Sequence, residues 1–258
     1  MKAILIKGNF IIKMKTRMLR VLLSIAIIFS SGVSSMAQDD KGSLYQRVDD
    51  LLRAGKTAEA EGVLKKYVSE NKTDYIAITK LGIMCQNRGD KKTALRLFND
   101  AMKMSPEYPM PYFFLGRLNF LMQDQDEAAY NLGIFREKVT RLEGIGMDEV
   151  TKNIYIKDLH YVSEVYFTLK RYDDAKKTID EVLKLDPKQQ DAYYNLGVYY
   201  YVYEHNRSMA YKSFTRAAEL GPDTETARSS KYAIEFMRTN PDSRFEPDFS
   251  FIDQEYRD

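Results

Sequence analysis

The sequence predicts an all-α fold, a solenoid of about five helix-turn-helix units closed by a C-terminal capping helix, and three observations lead there. Side chains of similar size recur in one register along most of the chain. The stretches between turn signals carry their apolar residues at the helical period. Glycine or proline stands where one helix must stop and the next begin.

The register is clearest from Tyr75. Leu81-Gly82, Ala94, Phe98 and Ala101 are followed 34 residues later by Leu115-Gly116, Ala128, Leu132 and Phe135. One period earlier lie Leu44, Leu51, Ala60, Leu64 and Tyr67. A fourth unit begins at Ile156, with Leu159, Val162, Ser163, Tyr166, Ala175, Ile179 and Val182. A fifth begins at Gln190, with Tyr193, Leu196-Gly197 and Tyr200; its second half, Ala210, Phe214 and Ala217, is displaced by one residue, which places an insertion in Tyr203 to Arg207.

Each recurrence has a physical reason. Within Lys91 to Met104 the apolar residues Ala94, Leu95, Leu97, Phe98, Ala101, Met102 and Met104 follow a helical period, and Gly89-Asp90 breaks the chain before it. Gly82, Gly116 and Gly197 let the two helices of a unit approach, while Ala60, Ala94, Ala128, Ala175 and Ala210 admit the neighbouring helix. A larger side chain there overpacks the contact. Pro106, Pro187 and Pro222 end second helices, because proline cannot continue one. The extra residues Glu143 to Tyr155 read as a lengthening of two helices, with Gly144 and Gly146 as a stop and Asp148 as a cap; a dedicated binding loop is the alternative. Thr224 to Met237 reads as the cap of the array, and Asn240 to Asp258 is aperiodic but keeps Phe245, Phe249, Phe251, Ile252 and Tyr256. This tail is either disordered or docked on its own solenoid, so that whether it occupies the groove stays open.

These residues resemble the tetratricopeptide repeat, a helix-turn-helix unit of 34 residues, from about 41 to 224. The departures are modest: the chain has no Trp, and its first unit has Arg47-Val48 where Leu-Gly is usual. The resemblance implies a right-handed solenoid with units at about 41–74, 75–108, 109–142, 156–189 and 190–224, a cap at 224–239 and a tail at 240–258. It also implies a concave groove lined by the first helices. Carried onto this chain, the groove positions include Phe113, Arg117, Phe120, His160, Glu164, Phe167, Tyr194 and Tyr201. In the tyrosine run, Tyr193 and Tyr200 are then expected in the core, and Tyr194 and Tyr201 in the groove. Aromatic side chains bury much area at little entropic cost, which suits a partner-binding surface. The implied function is a non-catalytic protein-protein interaction scaffold holding a peptide or helix of a partner. The family's carboxylate clamp is not implied, since Tyr45 and Asp49 stand where Lys and Asn are required.

Composition narrows the other classes. The 258 residues hold 39 Lys plus Arg against 37 Asp plus Glu, but six of the basic residues and no acid fall within the first 37. Without them 33 basic residues face 37 acidic ones, a net of −4, which argues against a nucleic-acid partner. One cysteine and two histidines argue against a disulfide framework or a metal site, and no cofactor is expected. Cys85 falls at a core position and is expected to be structural. No G-x-S-x-G, H-E-x-x-H, C-x-x-C, P-loop or G-x-G-x-x-G is present, so an enzyme is not expected; His160 and Glu164, four apart, read first as a groove contact and only then as an acid/base pair. A small-ligand or glycan receptor is the alternative that a tyrosine-rich concavity leaves open.

The leader sets the expected destination. The basic stretch through Arg20, the apolar Val21 to Phe29 and Ser35-Met36-Ala37 read as a signal peptide cleaved between Ala37 and Gln38, with Met1, Met14 or Met18 as the start. The periplasm or cell envelope follows. Membrane association is expected only through an uncleaved leader or a partner, and the oligomeric state is left open.

Overall fold

The computed structural model describes residues 38–240; the expected leader and the aromatic tail from 241 onward lie outside the described residues. Eleven helices account for nearly all of what is described: α1 Gln38–Arg53, α2 Thr57–Glu70, α3 Tyr75–Asn87, α4 Lys91–Met104, α5 Met110–Leu121, α6 Gln125–Ile145, α7 Glu149–Thr168, α8 Tyr172–Leu185, α9 Gln190–Val202, α10 Arg207–Leu220 and α11 Glu225–Thr239. They fall into two compact units, residues 38–118 with 148–154, and residues 119–147 with 155–240.

Short polar side chains start many of these helices. Asp74, Asp90, Asp124, Asn206 and Thr224 each accept a hydrogen bond from the backbone N–H three residues on, satisfying a donor the helix itself leaves unpaired. Asp148 accepts from the N–H groups of both Val150 and Thr151 at 3.0 Å and from the Thr151 hydroxyl. These bonds hold its carboxyl below the usual carboxylate range. Gly146, with φ +98°, ends α6. The residues between the third and fourth repeats therefore lengthen α6 and α7 around one short break, as the glycine and aspartate positions lead one to expect.

The turns inside helix pairs share one backbone requirement. Gly55, Gly89, Gln123, Lys170 and His205 all take positive φ, between 52° and 89°. Only the first two are glycines, so the other three carry the steric cost of a Cβ in the left-handed region. His205, one of two histidines in the chain, is thus a turn residue.

Packing follows the register. Ala60, Ala94, Ala128, Ala175 and Ala210 are fully buried, as are Phe98, Leu132 and Phe214. In the first unit α3 packs on α4 with Gly82 beneath the Phe98 ring: a Cβ at Gly82 would lie 2.5 Å from Phe98 Cε1. In the second unit α9 packs on α10 in the same way, and a Cβ at Gly197 would lie 2.7 Å from Phe214 Cδ1. Helices α4, α8 and α10 each stop two residues before the prolines that were expected to end them. Cys85 is fully buried, and burial pushes its thiol above the ordinary value.

Two tyrosine placements differ from expectation. Tyr193 and Tyr200 are half-buried rather than in the core, and Tyr199 is buried instead. The Tyr193 hydroxyl donates to the Pro187 carbonyl at 3.2 Å, which draws the ring to the edge of the helix pair. Tyr199 donates to Glu204 at 2.9 Å, so its hydroxyl is satisfied while the ring is covered.

A charged contact joins α6 to α8. Arg136 lies 3.7 Å from both Asp174 and Glu181. Burial, opposed by Arg136, pushes the Glu181 carboxyl up to about 7.

Two predictions arise here. Lys170→Gly and His205→Gly should each raise stability by up to about 1 kcal/mol, since the left-handed cost of about 1–2 kcal/mol exceeds the entropic cost of glycine; Gly89→Ala should lose a comparable amount, and urea titration reads all three. Because Glu181 binds its proton more tightly folded than unfolded, its contribution to stability is full at acid pH and is lost as pH rises between roughly 4.5 and 7. Denaturant midpoints measured across that range should show this loss, and Glu181→Gln should flatten it.

Candidate functional site

The candidate site is built on the first helices of the second unit. On α7, His160 and Glu164 stand one turn apart, with His160 Nε2 3.1 Å from Glu164 Oε1. On α9, Asn195 Nδ2 donates to Ser163 Oγ at 3.1 Å and lies 3.4 Å from His160 Nδ1. The ring of His160 is therefore held between Asn195 at Nδ1 and Glu164 at Nε2. Ser163 Oγ in turn donates to the His160 carbonyl at 2.7 Å. Tyr194 lies close enough to Glu164 for the carboxylate to add to burial in raising its hydroxyl.

Three predicted residues, His160, Glu164 and Tyr194, are thus brought together. Asn195 and Ser163 are the members that sequence reasoning missed. Each is 1% exposed, and their bond ties α7 to α9 beneath the histidine. The signal was a polar pair at buried-type positions on two successive first helices. Polar side chains there must satisfy one another. One turn before Tyr194, Asp191 accepts from the Thr226 hydroxyl of α11, extending the polar line to the last helix.

The remaining predicted residues are held elsewhere. Phe167 packs 6.2 Å from Tyr172, which stacks on Tyr203 at 5.1 Å, away from His160 and toward the interhelix turns. Tyr201 is buried, with the Arg207 guanidinium 5.7 Å from its ring and Arg207 itself donating to the Met237 carbonyl. Tyr201 therefore fixes the α9, α10 and α11 junction. In the first unit, Arg117 is buried with its guanidinium 5.5 Å from the Phe113 ring and 5.6 Å from Phe114. Phe120 is 8% exposed. Phe113, Phe120, Phe167 and Tyr201 thus present little ring surface, whereas His160 and Glu164 keep 25% and 15% of their side chains exposed. The positions where the family's clamp would require Lys and Asn are also spoken for: Tyr45 donates to Asp74 at 3.2 Å, and Asp49 accepts from the buried Lys80 at 3.2 Å.

Comparison with known proteins shows what the fold is similar to. Residues 164–204 match the tetratricopeptide repeat. The TPR repeat-containing protein YpiA of Bacillus subtilis is 27% identical over 161 residues, 62% of this chain and 34% of that protein. The chain spans about a third of the length of the curated relatives it matches. Among solved structures, a tetratricopeptide repeat protein from Parabacteroides merdae aligns with a TM-score of 0.58 at 15% identity, over 77% of this chain and 73% of that one. MamA aligns with a TM-score of 0.54 at 19% identity, over 72% of this chain and 97% of that one. Residues 164–204 thus carry a tetratricopeptide repeat, and the all-α fold is similar to that of these solved repeat structures.

Burial separates two kinds of site residue. Tyr201→Ala and Phe167→Ala should each cost about 3–5 kcal/mol, as removal of large buried rings does. Glu164→Gln should stay within about 0.5 kcal/mol of wild type, in keeping with a partly exposed surface position. Thermal melts followed by circular dichroism distinguish the two sets.

Proposed function

We propose that this chain is a non-catalytic scaffold of the cell envelope, exported through the leader at 1–37, that holds a peptide or helix of a partner protein on the first helices of its repeats. The repeat boundaries that the sequence suggests, at 41–74, 75–108, 109–142, 156–189 and 190–224, belong to the same proposal. The observation that carries it is the His160, Glu164, Tyr194 and Asn195 cluster on α7 and α9. Its shape is set by buried hydrogen bonds, yet its histidine and carboxylate remain partly open to solvent.

The chemistry of the cluster favours a particular contact. Glu164 is an acceptor beside His160, whose Nε2 lies 3.1 Å from it, and Asp191 adds a second carboxylate on α9. A lysine or arginine side chain of the partner, or a backbone N–H, pairs with such a surface. The buried state of Phe113, Phe120, Phe167 and Tyr201 favours this polar recognition over stacking of sugar rings.

Crosslinking mass spectrometry on the tagged protein in its native envelope tests the reading, with the His160→Ala/Glu164→Gln double variant in parallel. The expected result is a recurrent crosslink from one partner to Lys157, on α7 close to the cluster, reduced at least tenfold in the variant. An undiminished crosslink pattern would remove the cluster from the binding surface.

A further inference from the structure

The first unit holds a cavity of about 380 Å³ walled by α1, α2 and α3, within the range of small-molecule sites. Its walls are mostly apolar, with Val48, Leu52, Leu64, Ile83 and Met84 facing the space. Val48 and Leu64 are fully buried within the unit, while Thr57 and Ala58 at the start of α2 are exposed and form the mouth. The pocket is partly open to solvent rather than an enclosed void, so a ligand can reach it from the surface.

Three charged side chains also line it, Glu61, Lys80 and Arg88. Lys80 is 2% exposed and held by Asp49 at 3.2 Å, so it is committed to the wall. Arg88 differs. It is 49% exposed, reaches Glu61 at 2.5 Å with one nitrogen and Asp90 at 3.2 Å with another. Glu61 has a second cation, Lys65, at 2.6 Å. Arg88 can therefore turn to an incoming anion without leaving Glu61 uncompensated. An apolar pocket with an exposed guanidinium in its lining fits an apolar molecule ending in an anion.

We infer that this cavity binds an acyl-chain carboxylate, with the hydrocarbon against Leu52, Ile83 and Met84, backed by the buried Val48 and Leu64, and the carboxylate taken by Arg88. The site lies in the first unit and is independent of the α7 and α9 cluster. Recognition of the chain is hydrophobic and non-directional, so affinity follows length until the cavity is full. Recognition of the head is a charge-assisted bond, so it follows charge.

Isothermal titration of the full-length chain with octanoate, decanoate and dodecanoate, each below its micellar concentration, tests both. Affinity should rise roughly fourfold per methylene, up to a plateau set by the cavity. Dodecanol and dodecyltrimethylammonium should bind at least tenfold more weakly than dodecanoate. Arg88→Gln should erase that head-group preference and keep the length dependence. Ala58→Trp, placed on the exposed mouth, should abolish binding of all five probes while its circular dichroism melt stays that of wild type. Absence of saturable binding by wild type would overturn the inference. So would indifference to the head group, or wild-type binding by Ala58→Trp.

Discussion

The structure depends on how closely the two helices of a repeat come together. In α3 and α4, and again in α9 and α10, a phenylalanine ring lies against helix backbone where the facing residue has no side chain. That contact sets the interhelix spacing, and the spacing decides what else fits. Alanines at the recurring small position lie fully buried because the next helix reaches the backbone there as well. No helix pair covers its own apolar face, so each must be covered by its neighbours. The same spacing requires a tight reversal, and the left-handed residues from Gly55 to His205 supply it.

Polar groups that fall inside this packing are paired with one another, and the pairing shapes the surface. Tyr45, Tyr67 and Asp74 form one such set; Asp49 and Lys80 form a second. Lys80 is pushed down by burial while Asp49 pulls it back, which keeps the pair at the wall of the first unit. In the second unit the Asn195 and Ser163 bond does comparable work, fixing the histidine and carboxylate above it. Tyr166, fully covered and donating to the Ala129 carbonyl at 3.3 Å, has its hydroxyl pushed up to about 12 by burial. Rigid polar positions on a repeat scaffold follow from the need to satisfy buried donors and acceptors.

Much of this was legible in the sequence because it rests on side-chain size at fixed spacing. The Gly82 and Phe98 pair, the buried alanines, the prolines after α4, α8 and α10, and the long α6 and α7 around Gly146 and Asp148 all follow from which residues a helix pair tolerates. Tyrosines were less legible. Tyr193 has the size of a core residue, but its placement depends on its hydroxyl finding the Pro187 carbonyl, an acceptor known only once the chain is folded. The site shows the same division. His160 and Glu164 meet as helical spacing suggests and Tyr194 joins them from α9, whereas Phe167 and Tyr201 are drawn into contacts with neighbouring helices and Phe113 into one with Arg117, a turn along its own helix. Asn195 was hidden in a tyrosine-rich helix because its role depends on Ser163, 32 residues earlier.

The most direct test of the account is a double-mutant cycle at Gly197 and Phe214, read by urea denaturation. If the ring against bare backbone sets the spacing, Gly197→Ala costs about 1–3 kcal/mol with Phe214 present. It should then cost at least about 1 kcal/mol less in the Phe214→Ala background, because the added methyl group enters space that the ring has vacated. Equal costs in both backgrounds would mean that the glycine and the ring act independently, contradicting the claim that their contact spaces the repeat.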